Sequence, residues 1–339
     1  MSNLSPLRES LLIFILVATY VLLSLPAIGQ SLEDQAKKEG KIGLYTTMNA
    51  TETARAISVF KKIYPSLDVN FFRAGDEALL TKIETEARLG QNLWDVVQTN
   101  GFSMYHLFVK GFLAKYESPE RKFFSDGLKD KEGYWTSNYN NAHVLAYNTR
   151  MVSKHQAPRS YEDLIDPKWK GNMVLDAKDY EWFANMMKFM GEEKGMAYMK
   201  KLAAQELRMQ AGHTLLTQLV AAGEAPLGIA MYSHRVEQMK RQGAPVEWVG
   251  LNPVVLNLQP VALAARAPHP NAGKLLLDFL LSKEMAKIIQ GFNRIPARND
   301  VPPDPPSLLK GVPILPSDLS LAKDFGGHVR LFRDTFKVR

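Results

Sequence analysis

Between residues 41 and 110 the chain alternates strand, helix, strand, helix, strand, helix, and that order leaves few folds open. Residues 41–46, K-I-G-L-Y-T, read as a strand that ends in Thr46-Thr47-Met48-Asn49. The helix after it, about 51–64, puts Ile57, Phe60 and Tyr64 on one face, and Pro65 stops it. Residues 68–73 form a second strand, with Gly75-Asp76 as turn and N-cap. The helix over 77–89 stacks Leu79, Ile83 and Ala87, and Gly90 closes it. A third strand at 93–98 leads through Thr99-Asn100-Gly101 into a helix that reaches about Lys110. Strands joined by helices in this way lie parallel, because each helix carries the chain back over the sheet. Ligands of such sheets sit beyond the carboxyl ends of the strands. Three polar loops fall at that edge, 45–49, 74–76 and 99–101, beside helix N-termini with free N–H groups.

The chain has 339 residues, more than one compact core usually holds, so two lobes are expected. Residues 135–148, W-T-S-N-Y-N-N-A-H-V-L-A-Y-N, change from polar and aromatic to apolar within a few positions. A strand with that pattern leaves a solvated cleft and enters a sheet; an ordinary loop followed by a strand is the plainer alternative. Beyond a turn-rich entry at 163–171, strands are expected at 173–175, 226–231 and 246–249. A long helical region runs from 179 to about 205, its methionines read as core filler. Another helix, 213–222, is ended by Gly223, and a charged helix runs on from Tyr232-Ser233-His234 to Gly243. Residues 254–265 are extended and apolar, a second crossing back to the first lobe. A helix at 270–291 follows, with Ser282 as a cap within it, then a Pro-rich link and a helical tail.

Arg8 precedes the apolar run 11–25, and Ala27-Ile28-Gly29 offers the small residues a signal peptidase accepts. A run of fifteen residues, nearly all apolar, is short for a spanning helix, which needs about 20. Cleavage near Gly29–Gln30 is therefore expected, with an uncleaved anchor as the alternative. The net charge is +7, but the basic residues come as scattered pairs and no nucleic-acid motif is present, so no nucleic-acid partner is expected. The absence of cysteine excludes disulfides, thiolate ligands and a Cys nucleophile. Neither a nucleophile elbow nor a metalloprotease, P-loop or dinucleotide motif is present, so no catalytic residues and no cofactor are assigned. The remote alternative is an exported hydrolase.

Four strings carry a family resemblance: D-P-K-W-K-G at 166–171, A-P-H-P-N-A at 267–272, F-L-L-S-K-E at 279–284 and R-I-P-A-R at 294–298. With the element order, they make the chain resemble the periplasmic substrate-binding proteins of ABC importers, in particular the ferric-iron-binding cluster (extracellular solute-binding family 1, type II). The resemblance implies an α/β fold, two Rossmann-like lobes joined by two crossing strands, with hinge closure on a ligand between them. Mapped onto this chain, 1–29 is a signal peptide, 30–140 the first part of lobe 1, 141–258 lobe 2, and 259–339 the return to lobe 1 with a C-terminal helical tail. It also implies a periplasmic monomer that hands a small-molecule ligand to an inner-membrane permease. Iron-binding relatives place two adjacent tyrosines after the strand matching 226–231; here the residues are Met231-Tyr232-Ser233. Their His on the loop after the first strand is also missing from Tyr45-Thr46-Thr47-Met48-Asn49.

With the lobes facing each other as in that family, the cleft gathers Tyr45, Thr46, Thr47, Asn49, Thr99, Asn100, Tyr139, Asn140, Asp176, Asp179, Tyr180, Trp182 and Tyr232. Aromatic walls with a few polar groups suit a small organic solute. Asp176, Asp179 and Glu181 favour an amine-bearing part, with cation–π help from Tyr180 or Trp182. The plainer alternatives are that the aspartates cap the following helix and that Trp182 is core. No metal site is assigned; Tyr232 is the anchor if ferric iron or a ferric chelate is bound. His234 is expected on the surface or in a cap, and Arg73 on the surface.

Overall fold

The computed structural model describes residues 31–338; the signal segment expected at 1–29 lies outside the described residues. Helix α1 (Leu32–Glu39) is capped by Ser31 and ends at Gly40 in the left-handed conformation, φ +68°. Then come β1 (Lys41–Thr46), α2 (Ala50–Ile63), β2 (Asp68–Arg73), α3 (Asp76–Arg88), β3 (Val96–Gln98), α4 (Gly101–Val109) and β4 (Leu113–Ala114). The long strand β5 (Thr136–Asn148) leads to β6 (Met173–Asp176), α5 (Tyr180–Met190), α6 (Glu192–Ala203), β7 (Arg208–Gln210), α7 (His213–Ala222), β8 (Leu227–Tyr232), α8 (Ser233–Arg241) and β9 (Val246–Val249). The second long strand β10 (Val254–Ala264) precedes α9 (Pro270–Leu281), α10 (Lys283–Gly291), β11 (Ile295–Pro296), β12 (Ile314–Pro316) and α11 (Phe325–Phe336).

The strands lie in the order β2-β1-β3-β10-β5-β8-β6-β7. β1 runs parallel to β2 and β3, the crossover arrangement expected of 41–98. β10 and β5 pair antiparallel with each other, and each also pairs outward into one lobe. All 13 residues of β5 are buried, because both lobes wrap it. Up to Ala142 it pairs with β10; from His143 it pairs with β8 and β9. The β5–β10 register shifts between Gln259 and Pro260, where proline has no N–H to donate.

Two apolar layers pack the β1–β3 sheet: Phe60, Leu276, Phe279 and Ile289 on one face, Leu79, Ile83, Met104 and Leu107 on the other. The second lobe is built on Leu175, Trp182, Phe183, Met186, Met199 and Leu202, so the methionines there fill core. The helical run expected from 179 to about 205 is two helices, split at Gly191, whose φ of +82° an ordinary helix cannot adopt. The C-terminal helix α11 buries Phe332 and Phe336 in the second lobe's core.

Two of the family strings, 267–272 and 294–298, hold elements together. Asp95 accepts the backbone N–H groups of Gly43 (2.7 Å) and His269 (2.6 Å), and Glu39 accepts those of Asn271 and Ala272 (2.7 Å for Ala272), fixing α9 against α1 and β1. Arg294 is buried with Glu52 at 2.6 Å and Asn141 at 3.0 Å, its guanidinium over the Tyr139 ring. Arg298 donates to Asp300 and Glu120 and lies over Phe123.

Candidate functional site

A cleft of about 310 Å³ lies at the carboxyl ends of the strands, between the N-termini of α3 and α4 on one side and of α5, α7 and α8 on the other. Polar groups reach it from both lobes: Asp76, Asn100 and Ser103 from the first, and Asp176, Asp179, Glu181, His213 and Tyr232 from the second. Asn257 of β10 forms part of the wall. The apolar lining comes from Phe102, Tyr180 and Phe325.

Each of these groups is placed by its local chain. Asp76 opens α3, where it accepts from the Thr99 hydroxyl (2.7 Å) and the Asn100 N–H (3.2 Å); burial raises its pKa against those bonds. Asp176 ends β6 and accepts the N–H groups of Lys178 (2.9 Å) and Gly212 (2.7 Å), which holds the turns entering α5 and α7. Glu181 is buried, with one oxygen taking the Ser317 hydroxyl at 2.6 Å and the other without a partner. Burial, opposed by that hydrogen bond, pushes its pKa up to about 7. Lys178 bridges to Glu77 at 2.5 Å across the cleft mouth.

Tyr232 stands at the end of β8 among three histidines. Its ring centroid lies 3.9 Å from that of His213, 5.2 Å from His143 and 5.7 Å from His234. Burial and the surrounding carboxylates, Asp179 first among them, hold its hydroxyl well above the usual phenol range. His143 faces Tyr232 across the β5–β8 ladder. Burial draws the His143 pKa down most strongly, but Asp179, 3.3 Å from its Nε2, together with Glu181 and the Val255 carbonyl makes the net shift upward. His234 is buried, not on the surface or in a cap: α8 turns it inward beside Tyr232, and burial drives its pKa well below the usual range.

Five of the residues expected in the cleft meet there: Asn100, Asp176, Asp179, Tyr180 and Tyr232. Asn100 also caps α4 through the Ser103 N–H. Thr99 stands just behind, buried and bonded to Asp76. The others are used elsewhere. The Tyr45 side chain turns under α3, where its hydroxyl donates to Glu86 (2.9 Å) between Phe72 and Trp94. Thr46 donates to Gln98 at 2.7 Å inside the first lobe, and the Thr47 N–H joins the Gln98 carbonyl. Asn49 is exposed and caps α2. Tyr139 lies under Arg294, its pKa raised to about 12 by burial, and Asn140 accepts from Ser137. Trp182, one residue past the cleft-facing Glu181, falls on the opposite side of α5 and is wholly buried in the core.

Sequence reasoning passed over His143, His213, Asp76 as more than a cap, Ser103, Asn257 and Phe325. His143 had a signal: a histidine inside a strand buried on both faces needs a partner within reach. His213 and Phe325 had none, since only tertiary folding brings them to β8 and α5.

Residues 92–319 match the family model of the bacterial extracellular solute-binding proteins. Iron uptake protein A1 of Synechocystis sp. is 28% identical over 172 residues, 46% of this chain and 48% of that protein. A putative 2-aminoethylphosphonate-binding periplasmic protein of Salmonella typhimurium is 26% identical over 191 residues, 53% of this chain and 56% of the relative. The chain thus spans about half the length of these curated relatives. The fold is that of iron-bound HitA from Pseudomonas aeruginosa, with a TM-score of 0.79, 20% identity, and coverage of 87% of this chain and 99% of that one.

Proposed function

We propose that this chain, which belongs to the bacterial extracellular solute-binding proteins, captures a small amine-bearing organic solute between its lobes and delivers it to an ABC importer. The family and fold are those of substrate-binding proteins. On this reading the protein works in the periplasm as a monomer, closes about β5 and β10, and meets an inner-membrane permease when closed. The supporting observation is the acidic excess of the cleft. Asp76, Glu77, Asp176, Asp179 and Glu181 line it against a single lysine, Lys178, which Glu77 already pairs. An ammonium group placed among Asp76, Asp176 and Glu181 gains charge-assisted hydrogen bonds that a neutral solute lacks. Phe102, Tyr180 and Phe325 cover the solute's carbon skeleton. The N-termini of α5, α7 and α8, which have no side-chain caps, suit an anionic group at its other end. An amino acid or aminophosphonate has both groups, and one relative is named for such a compound.

Ferric iron is the second reading, favoured by Tyr232 and by the iron-uptake relative. It is the weaker one. Tyr232 stands between Met231 and Ser233, so only one tyrosine of the adjacent pair is present, and its phenol holds its proton tightly. Calorimetry with amines, amino acids and aminophosphonates, against sugars and dicarboxylates, tests the proposal. Binding confined to amine-bearing compounds, lowered about tenfold or more by Tyr232→Ala, is expected. Binding of dicarboxylates alone, or a visible tyrosinate–iron band on ferric titration with no amine binding, would overturn it.

A further inference from the structure

We infer that the floor of the cleft holds a divalent first-row transition-metal ion on His143, Asp179 and His213. One donor atom from each of these residues lies within 4.8 Å of the other two. His143 and Asp179 are 1% and 5% exposed, so water does not satisfy them.

The hydrogen bonding around them is incomplete in a specific way. His143 Nδ1 lies 3.2 Å from the Val255 carbonyl oxygen, which can only accept, so Nδ1 carries the hydrogen. In the neutral ring, Nε2 then presents its lone pair. It faces Asp179 Oδ1 at 3.3 Å without hydrogen-bond alignment, and has no other partner. Two acceptors face each other in a buried place, an arrangement that a cation between them resolves. Asp179 Oδ2 and His213 Nδ1 are also buried without partners, and His213 Nε2 is 3.7 Å from Asp176, beyond a hydrogen bond.

The donor set selects the ion. Two imidazoles and a carboxylate suit zinc, nickel, cobalt or ferrous iron; magnesium and calcium prefer all-oxygen sites, and ferric iron prefers phenolates. Bonds of about 2.1 Å in a tetrahedron set donors about 3.4 Å apart, which the His143–Asp179 separation already meets. His213, at the start of α7 and part-exposed, closes the set by rotating its ring. The Val255 carbonyl supplies the outer hydrogen bond that orients a ligating histidine. Asp179 and His213 line the cleft, so the ion would lie at its wall. The ion draws on Asp179 and leaves Asp76, Asp176 and Glu181 for the amine, so the inference goes beyond the proposed cargo and does not depend on it.

The competing arrangement is a proton on Nε2, giving a buried imidazolium–carboxylate pair. Chelator-stripped protein titrated by calorimetry with Zn(II), Ni(II) or Co(II) alone separates the two. One ion per chain is expected, with a visible Co(II) band and no binding of Mg(II) or Ca(II). His213→Ala and Asp179→Asn, with folding checked by circular dichroism, should each weaken it about tenfold or more. Absence of binding overturns the inference. So does unchanged affinity in both variants, which would move the ion to another histidine. Nitrogen NMR gives an independent readout: an Nε2-bound proton on His143 that survives added zinc means the ion pair, and its loss means the metal. Because the titrant is the metal alone, failure here leaves the amine reading to its own panel.

Discussion

Glu181 should make the folded protein less stable as pH rises through neutrality. Its side chain is 5% exposed, one oxygen holds the Ser317 hydroxyl, and the other has no partner. A carboxylate in that position is desolvated without compensation, and its pKa rises from 4.5 to about 7. Between those values the folded state binds more protons than the unfolded one, so unfolding free energy falls with increasing pH. Below 4.5 the group is neutral in both states and contributes nothing; above 7 the cost is complete. A displacement of that size corresponds to about 3 kcal/mol. The Glu181→Gln variant separates this from other effects. Its amide oxygen can keep the Ser317 bond, while its NH2 group finds no acceptor, a penalty of about 1–3 kcal/mol that does not vary with pH. Asp76 and His143 titrate in both proteins, and because both interact with Glu181 the difference reads the Glu181 step together with that coupling. Urea unfolding of chelator-stripped protein from pH 4.5 to 8, followed by circular dichroism and tryptophan fluorescence, gives the difference directly. Wild type minus variant should fall by about 3 kcal/mol across that range. A flat difference would refute the reasoning, because it would mean that Glu181 ionises as if solvated.

Arg294→Met strands Glu52, which is 6% exposed, and should cost about 3–5 kcal/mol, with Glu52→Gln in the same chain restoring much of it; a double-mutant cycle reads the coupling. Gly43→Ala should destabilise by about 2–4 kcal/mol in chemical unfolding, because a Cβ there would come within 2.6 Å of the Leu93 carbonyl oxygen and backbone must move.

The alternation of strands and helices, both crossing strands and the Ser282 cap were legible because each rests on local chemistry: period, turn residues and apolar length. The cleft was legible only as an edge. Knowing that residues 45–49 follow a strand does not say which side of the sheet Tyr45 faces, and the side is decided by Glu86 and Trp94, brought there by α3 and the loop before β3. Trp182 shows the same limit one turn into a helix: its neighbour Glu181 faces the cleft while the indole faces the core. The gathering of His143, His213 and His234 around Tyr232 draws on four separate elements, and no spacing along the chain encodes it. Gly191 was visible as a residue, but whether a glycine interrupts a helix or rides within it depends on the packing of α6 against α5.

The place of His143 links the site to the fold's mechanics. β5 changes partner between Ala142 and His143, leaving β10 for β8, so His143 is the first residue to belong to the second lobe's ladder. Its side chain nevertheless reaches back to the Val255 carbonyl of the other crossing strand. Anything that grips its Nε2 therefore acts on the segment about which the lobes are proposed to close. Asn257, two residues beyond Val255, is both a cleft wall and a partner of Asn141 in the β5–β10 ladder. One cleft-wall residue, Asn257, is thus carried by a crossing strand, and His143 of the other crossing strand lies behind Tyr232, while Asp76, Asn100, Asp176 and Tyr232 are carried by elements of one lobe or the other. A ligand that bridges these sets stabilises one angle between the lobes by the amount its affinity differs between open and closed forms, and by no more. On the proposed closing about β5 and β10, contacts at His143 and Asn257 are the ones most sensitive to that angle, because these strands carry them.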